Sequence, residues 1–188
     1  MSDPTGTTGM SGDAEAGTSA ADLLRHQWAV SCDRLVRSLG GLSDEEFRRE
    51  PVEGCWSVRP DPEHPDRWLM DYPDEVPDPP PFTTISWRLL HVTHGNWIYA
   101  EDGFGPGRRT YTDLPIFGNA LEAVADLVAS QEVVTSVLAA ADDASLAHEV
   151  STPSGEPRAA WQVLATLVDE QTHHGAEISL LRDLYRAG

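Results

Sequence analysis

Nine of the 14 prolines in the chain fall between Pro51 and Pro81. Proline lacks a backbone N–H and clashes with the preceding helical turn, so this stretch can be neither helix nor the middle of a sheet. A connection of such length inside one domain is either functional or loosely ordered. Trp56, Trp68, Leu69, Met70 and Tyr72 lie within it, and so many large side chains argue that it wraps onto the body as a cover over a pocket.

On both sides of that segment, apolar residues recur at helical spacing. In "TSAADLLRHQWAVSCDRLVRSLGG", Leu23, Leu24, Gln27, Trp28, Cys32, Leu35, Val36 and Leu39 follow the three-four pattern, and a glycine pair stops it. Ser43 caps a short turn with Glu46 at the capping-box position. A second helix, "TTISWRLLHVTHGNWIYAEDGFG", has Thr83 or Thr84 as its cap and Gly103 beyond its end. Asn119 caps a third, apolar at Leu121, Val124, Leu127, Val128, Val134 and Leu138. After a turn-rich link, "RAAWQVLATLVDEQTHHGAEISLLRDLYRAG" makes the fourth. No strand of convincing length is legible. The expectation is an all-α four-helix bundle with a long proline-rich crossover between helices one and two. Residues 19–188 form its single domain, and the small, polar residues of 1–18 form a disordered tail.

Charge narrows the partners. Thirteen basic and 31 acidic side chains give a formal charge of −18, which repels nucleic acid and anionic membranes. No run approaches the roughly 20 apolar residues of a membrane helix, and the first residues lack a basic start and an apolar centre, so the expected location is cytoplasmic. Cys32 and Cys55 are too far apart for a CxxC motif and are expected to be reduced, structural thiols.

The chemistry concentrates in "DEQTHHGAEISLLRDLYR". Asp169 with His173, Glu170 with His173, and Glu170 with His174 are each spaced to meet on a helix surface. Adjacent His173 and His174 point about 100° apart, so only one of them shares a site with a given acid. A plainer arrangement pairs Glu170 and His174 in solvent and leaves His173 hydrogen-bonded in the interior. Trp161, Leu164, Leu167, Val168, Ile178, Leu180, Leu181 and Leu184 cover most of this helix, which places it in the middle of the fold and buries part of the cluster. Buried ionisable groups must be paired or bound to metal. Helix two brings His91 and His94, so two helices each carry histidine to apolar surroundings. One imidazole from helix two plus an acid and an imidazole from helix four meet the three-ligand count of a catalytic divalent site.

The segments "PVEGCWSVRP", "DPPPFTTISWRLLHV" and "DEQTHHGAEISLLRDLYR" resemble the DinB-like superfamily of four-helix bundles, in its actinobacterial branch near mycothiol-dependent maleylpyruvate isomerase; the similarity runs over residues 20–188. That resemblance implies a metal-binding histidine in the "WRLLHV" context, His91, and two ligands four apart on a later helix. Aligned on "HHG", these are Asp169 and His173, with Glu170 and His174 as alternates. Position 169 departs from the commonest family pattern, which has histidine there, although the isomerase branch is similar in using an acidic ligand. The implied cofactor is a divalent metal, zinc first and nickel second, and the implied chemistry is activation of a low-molecular-weight thiol such as mycothiol for attack on a small electrophile.

Two functions from different classes are consistent with this. One is a metal-dependent thiol S-transferase or thiol-dependent isomerase. The other is a non-catalytic metal- or small-molecule-binding bundle, and a homodimer suits both. A DNA-binding role conflicts with the charge. Glu177 and Arg182 are expected as a helix-surface ion pair or as support behind the ligands, and His26 as a packing residue. Arg108 and Arg109 are expected in a solvated turn, and His64 and His148 in turn-rich segments without a role.

Overall fold

The computed structural model describes residues 18–72, 75 and 77–188. The expectation of a disordered tail lies, apart from Thr18, outside the described residues. Four long helices carry the fold: α1 (Ala20–Ser38), α3 (Ile85–Phe104), α4 (Ala120–Ala140) and α6 (Ala160–Arg186). Two short ones, α2 (Asp44–Arg48) and α5 (Asp143–Leu146), sit in the connections. Ser19, Thr84 and Asn119 each accept a backbone N–H at the start of α1, α3 and α4, as their side-chain chemistry favours. Helix α1 packs on α4 and α6, and α3 packs on the same two, so the four close into a ring around one interior. The architecture is the expected all-α bundle.

The interior has two apolar clusters separated by a polar layer. One gathers Leu35, Phe47, Leu89, Leu90, Leu127 and Ile178. The other gathers Trp28, Ala100, Val134, Leu138, Leu164 and Leu167. Between them, Gln131 Nε2 donates to Gln171 Oε1 (3.1 Å), Gln171 Nε2 donates to Cys32 Sγ (2.8 Å), and Asn96 Nδ2 donates to Ser130 Oγ (3.1 Å). All four long helices contribute to this layer at one height. Burial pushes the Cys32 thiol up to about 11, which keeps it protonated and unreactive, in line with a structural thiol.

The proline-rich crossover is fastened down. Strands β1 (Val58–Pro60) and β2 (Trp68–Met70) pair antiparallel, with Val58 opposite Met70. Trp56 forms a parallel bridge to Thr83 through Trp56 N–H to Phe82 O and Thr84 N–H to Trp56 O, 2.9 Å each. The Trp68 indole lies against Gly118, where there is no room for a Cβ, and under the Arg48 guanidinium, which donates to the Gly118 carbonyl. A second short pair, β3 (Glu149–Val150) with β4 (Arg158–Ala159), leads into α6.

Several expectations need correction. Gly103 lies inside α3, and Gly105 is the residue that ends it. Helix α6 is one wall of the ring and not a central rod: Trp161, Leu180 and Leu184 on its outer face are about half exposed. Glu46 N–H takes the Ser43 cap, but the Glu46 carboxylate is drawn away to Arg182, so only half of the capping box forms. Arg182 is not in a surface pair. It is 2 % exposed, donates through Nε and Nη2 to the two Glu46 oxygens (2.8 and 3.1 Å), and donates through Nη1 to the Ser38 and Gly40 carbonyls. Helix α4 is, by length and composition, apolar enough to cross a membrane, contrary to the sequence reading; in the fold its Leu127, Val134 and Leu138 are core residues of the bundle.

Candidate metal centre

Helix α6 runs without a break through its central polar run, so Glu170, His174 and Glu177 fall at i, i+4 and i+7 on one stripe. That stripe faces α3, where Arg88 and His91 are one turn apart. The pairing of the two helices therefore brings five ionisable groups together. Glu170 Oε2 lies 3.2 Å from His91 Nε2 and 3.2 Å from His174 Nε2. These three ligand atoms all fall within 4.8 Å of one another. On the far edge of the His174 ring, Nδ1 is 2.7 Å from Glu177 Oε2, and Glu177 is in direct contact with the Arg88 guanidinium.

Burial grades across the cluster. The His174 side chain is 11 % exposed, whereas those of His91 and Glu170 are each 36 % exposed. One side therefore opens to solvent and the other is closed by protein. The imidazoles of His174 and then His91 beside it hold the Glu170 carboxyl far below the ordinary carboxylate range, against the opposing effect of burial. Burial pushes the His174 imidazole down, and Glu170 only partly offsets this. The resulting set, one carboxylate beside neutral imidazole nitrogen, is the donor chemistry that borderline divalent ions such as Zn²⁺ take.

An aromatic column stands against the open side. The Trp87 ring stacks on His91 with centroids 4.9 Å apart, Tyr72 stacks on Trp87 at 6.2 Å, and Trp56 touches both Tyr72 and Trp87 at 5.7 Å. Trp87 Nε1 donates to the Asp71 carbonyl (2.7 Å), which ties the column to the crossover. The proline-rich segment thus forms a wall beside the cluster, with Tyr72 62 % exposed. A cavity of about 580 Å³ lies at the opposite end of the bundle, lined by Phe104, Val137, Leu146, Val150 and Ala160 among others. Of its lining only His148 can ionise near neutrality, so this cavity lacks a cluster of ionisable groups like that at the α3–α6 seam.

Of the residues expected as ligands, the structure brings His91 together with Glu170 and His174, the two alternates. Asp169 and His173 are exposed on α6 and lie outside the His91 group; His173 reaches only Glu177, with Nε2 3.4 Å from Oε1. The phase of α6 explains the choice. Leu164, Leu167, Gln171, His174, Ile178 and Leu181 form the buried stripe, a three-four register that includes His174 and passes over His173. The apolar Trp161, Leu180 and Leu184 on the outer face mask that register in the sequence, so only the packing separates the two histidines. His94 turns away from His91: its Nε2 donates to the Pro115 carbonyl (3.1 Å), and burial pushes its pKa down. His26, His64 and His148 are exposed. Arg108 and Arg109 donate backbone N–H groups to Glu101, and the Arg109 guanidinium lies over Trp97. Arg88 is the participant that the sequence reading passed over.

No curated protein matches the chain at a significant level. The family model described as the DinB superfamily matches residues 27–178, a span that takes in α3, α4 and the whole acid and histidine cluster of α6. The chain belongs to the DinB superfamily.

Proposed function

We propose that the chain is a metal-dependent thiol S-transferase or thiol-dependent isomerase, in which His91, Glu170 and His174 hold a divalent cation. The observation that carries this reading is the convergence of two imidazole nitrogens and one carboxylate oxygen within 4.8 Å at the half-open mouth of a bundle seam. Three protein ligands with one side open to solvent match a catalytic rather than a structural site. When bound there, zinc, or nickel as the second choice, supplies Lewis acidity that lowers the pKa of a thiol such as that of mycothiol. The chain's own residues do the rest. Glu170 provides the anionic ligand, and its position keeps it ionised. Trp87 holds the plane of the His91 ring by stacking. Tyr72 and Trp56 offer apolar faces beside the cluster for the body of the thiol or for the electrophile. A small-molecule partner also agrees with the charge of −18, which disfavours polyanions.

The test is elemental analysis of protein purified without an affinity tag, followed by thiol consumption with a test electrophile. Near-stoichiometric zinc or nickel, lost in His91→Ala and His174→Ala, with thiol consumption that stops on chelation, is the expected result. Metal without thiol chemistry would move the chain to the non-catalytic binding class. Metal that persists in both alanine variants would sink the ligand assignment.

A further inference from the structure

We propose that Arg88 and Glu177 are positioning residues that fix His174 as its Nδ1–H tautomer and so leave the Nε2 lone pair facing the space between Glu170 and His91. Two neighbours make opposite demands on His174 Nδ1. Glu177 Oε2, at 2.7 Å, can only accept a proton, and Arg88 Nη1, at 3.4 Å, can only donate one. Both ring nitrogens face a carboxylate oxygen, Nδ1 at 2.7 Å from Glu177 and Nε2 at 3.2 Å from Glu170, and the single proton of the neutral ring belongs on the nitrogen with the closer acceptor. A protonated Nδ1 makes a short charge-assisted hydrogen bond there, and the longer contact to Arg88 lies at the limit of hydrogen bonding. The distances select the Nδ1–H form. Arg88 is then free of His174 and contacts Glu177 directly, which fixes the carboxylate in place.

The burial of Arg88 supports this assignment. It is 8 % exposed, its guanidinium lies 5.5 Å from the Phe82 ring, and its Nε has no hydrogen-bond partner. Glu177 is the carboxylate that its terminal nitrogens reach, so removing either group leaves the other without its ionic partner. A competing use of Glu177 exists: with His173 and His174 it forms a second set of ligand atoms within 4.8 Å. A cation bound there would require a bare Nδ1 and would lie beside the Arg88 charge, and both features oppose it.

The metal consequence rests on the function proposed above, whereas the tautomer does not. In metal-free protein held well above the ordinary imidazole pKa, long-range ¹H–¹⁵N correlation spectra should show a protonated His174 Nδ1 and an unprotonated Nε2. The reverse pattern overturns the proposal without any variant. Glu177→Ala should release the ring toward the Nε2–H form and weaken Co²⁺ binding about 10- to 100-fold. Glu177→Gln, which keeps an accepting oxygen, should restore the Nδ1–H signature and most of the affinity. Unchanged tautomer and affinity in Glu177→Ala would also overturn it, as would two Co²⁺ per chain with one lost in His173→Ala. If the wild-type chain binds no Co²⁺, the functional reading fails while the tautomer result still stands.

Discussion

Glu170 and Gln171 are neighbours on α6 and belong to two different polar regions. Gln171 enters the layer between the apolar clusters, is fully buried, and meets Gln131, Cys32 and Ser31, all neutral groups with compatible donors and acceptors. Glu170 turns toward α3 and joins a cluster with two carboxylates, three histidines and one arginine, part of it open to water. The first region spends its polar groups on one another and so specifies how four helices align. The second has more acceptors than donors at its centre, which is the position of the proposed cation. Charge alone does not separate them, because Glu46 and Arg182 are also charged and buried, yet each satisfies the other and the Arg182 guanidinium closes the Ser38 and Gly40 carbonyls. A polar group with its partners in place holds a fold, and one short of a partner points to a ligand.

This contrast can be broken at several points. Glu46→Ala should cost about 3–5 kcal/mol in urea unfolding, since it strands a buried guanidinium, while metal content stays at the wild-type level. His174→Ala should do the opposite: Zn²⁺ affinity should fall by more than about 100-fold in competition titrations, a larger loss than removing a partner behind a ligand, with little change in the melting of the metal-free chain. Gln171→Leu should destabilise by about 1–3 kcal/mol, because Gln131 loses its acceptor inside the core, and should leave Zn²⁺ affinity alone. If affinity falls with stability in that variant, the two regions are one coupled network and the contrast fails.

The smallest effect concerns pH. His94 has a folded pKa below its ordinary 6.5, so its contribution to stability is full above that value. As pH falls, the unfolded chain takes up a proton that the folded chain refuses. Stability should therefore decline with acid from about 6.5 down to the folded pKa, by at most about 1.4 kcal/mol per pH unit. In His94→Gln that portion of the slope should vanish from pH-dependent melting curves.

Much of the fold was readable before any coordinates. The caps at Ser43, Thr84 and Asn119, the breaks at glycine and the proline-rich crossover are local signals, and local chemistry produced them. The apolar periodicity of α6 was readable too, but its breadth misled: Trp161, Leu180 and Leu184 suggested a central helix, whereas they cover the outer face of one wall. In the centre, spacing allowed Asp169, Glu170, His173 and His174 in several combinations. Only the packing of α6 on α3 brought Glu170 and His174 to His91. Arg88 was out of reach of such reading, since an arginine inside an apolar run shows its partner only when the other helix is in place.

By itself, the order of residues determined which segments become helices, where they stop, and that carboxylate and imidazole groups are carried on two of them, because turn formation and amphipathic spacing involve residues only a few positions apart. The tertiary structure decided which member of each adjacent pair turns inward and which groups share a site. A step of one residue rotates a side chain by about 100°, and the reference direction for that rotation is the neighbouring helix, which lies 79 residues away between His91 and Glu170.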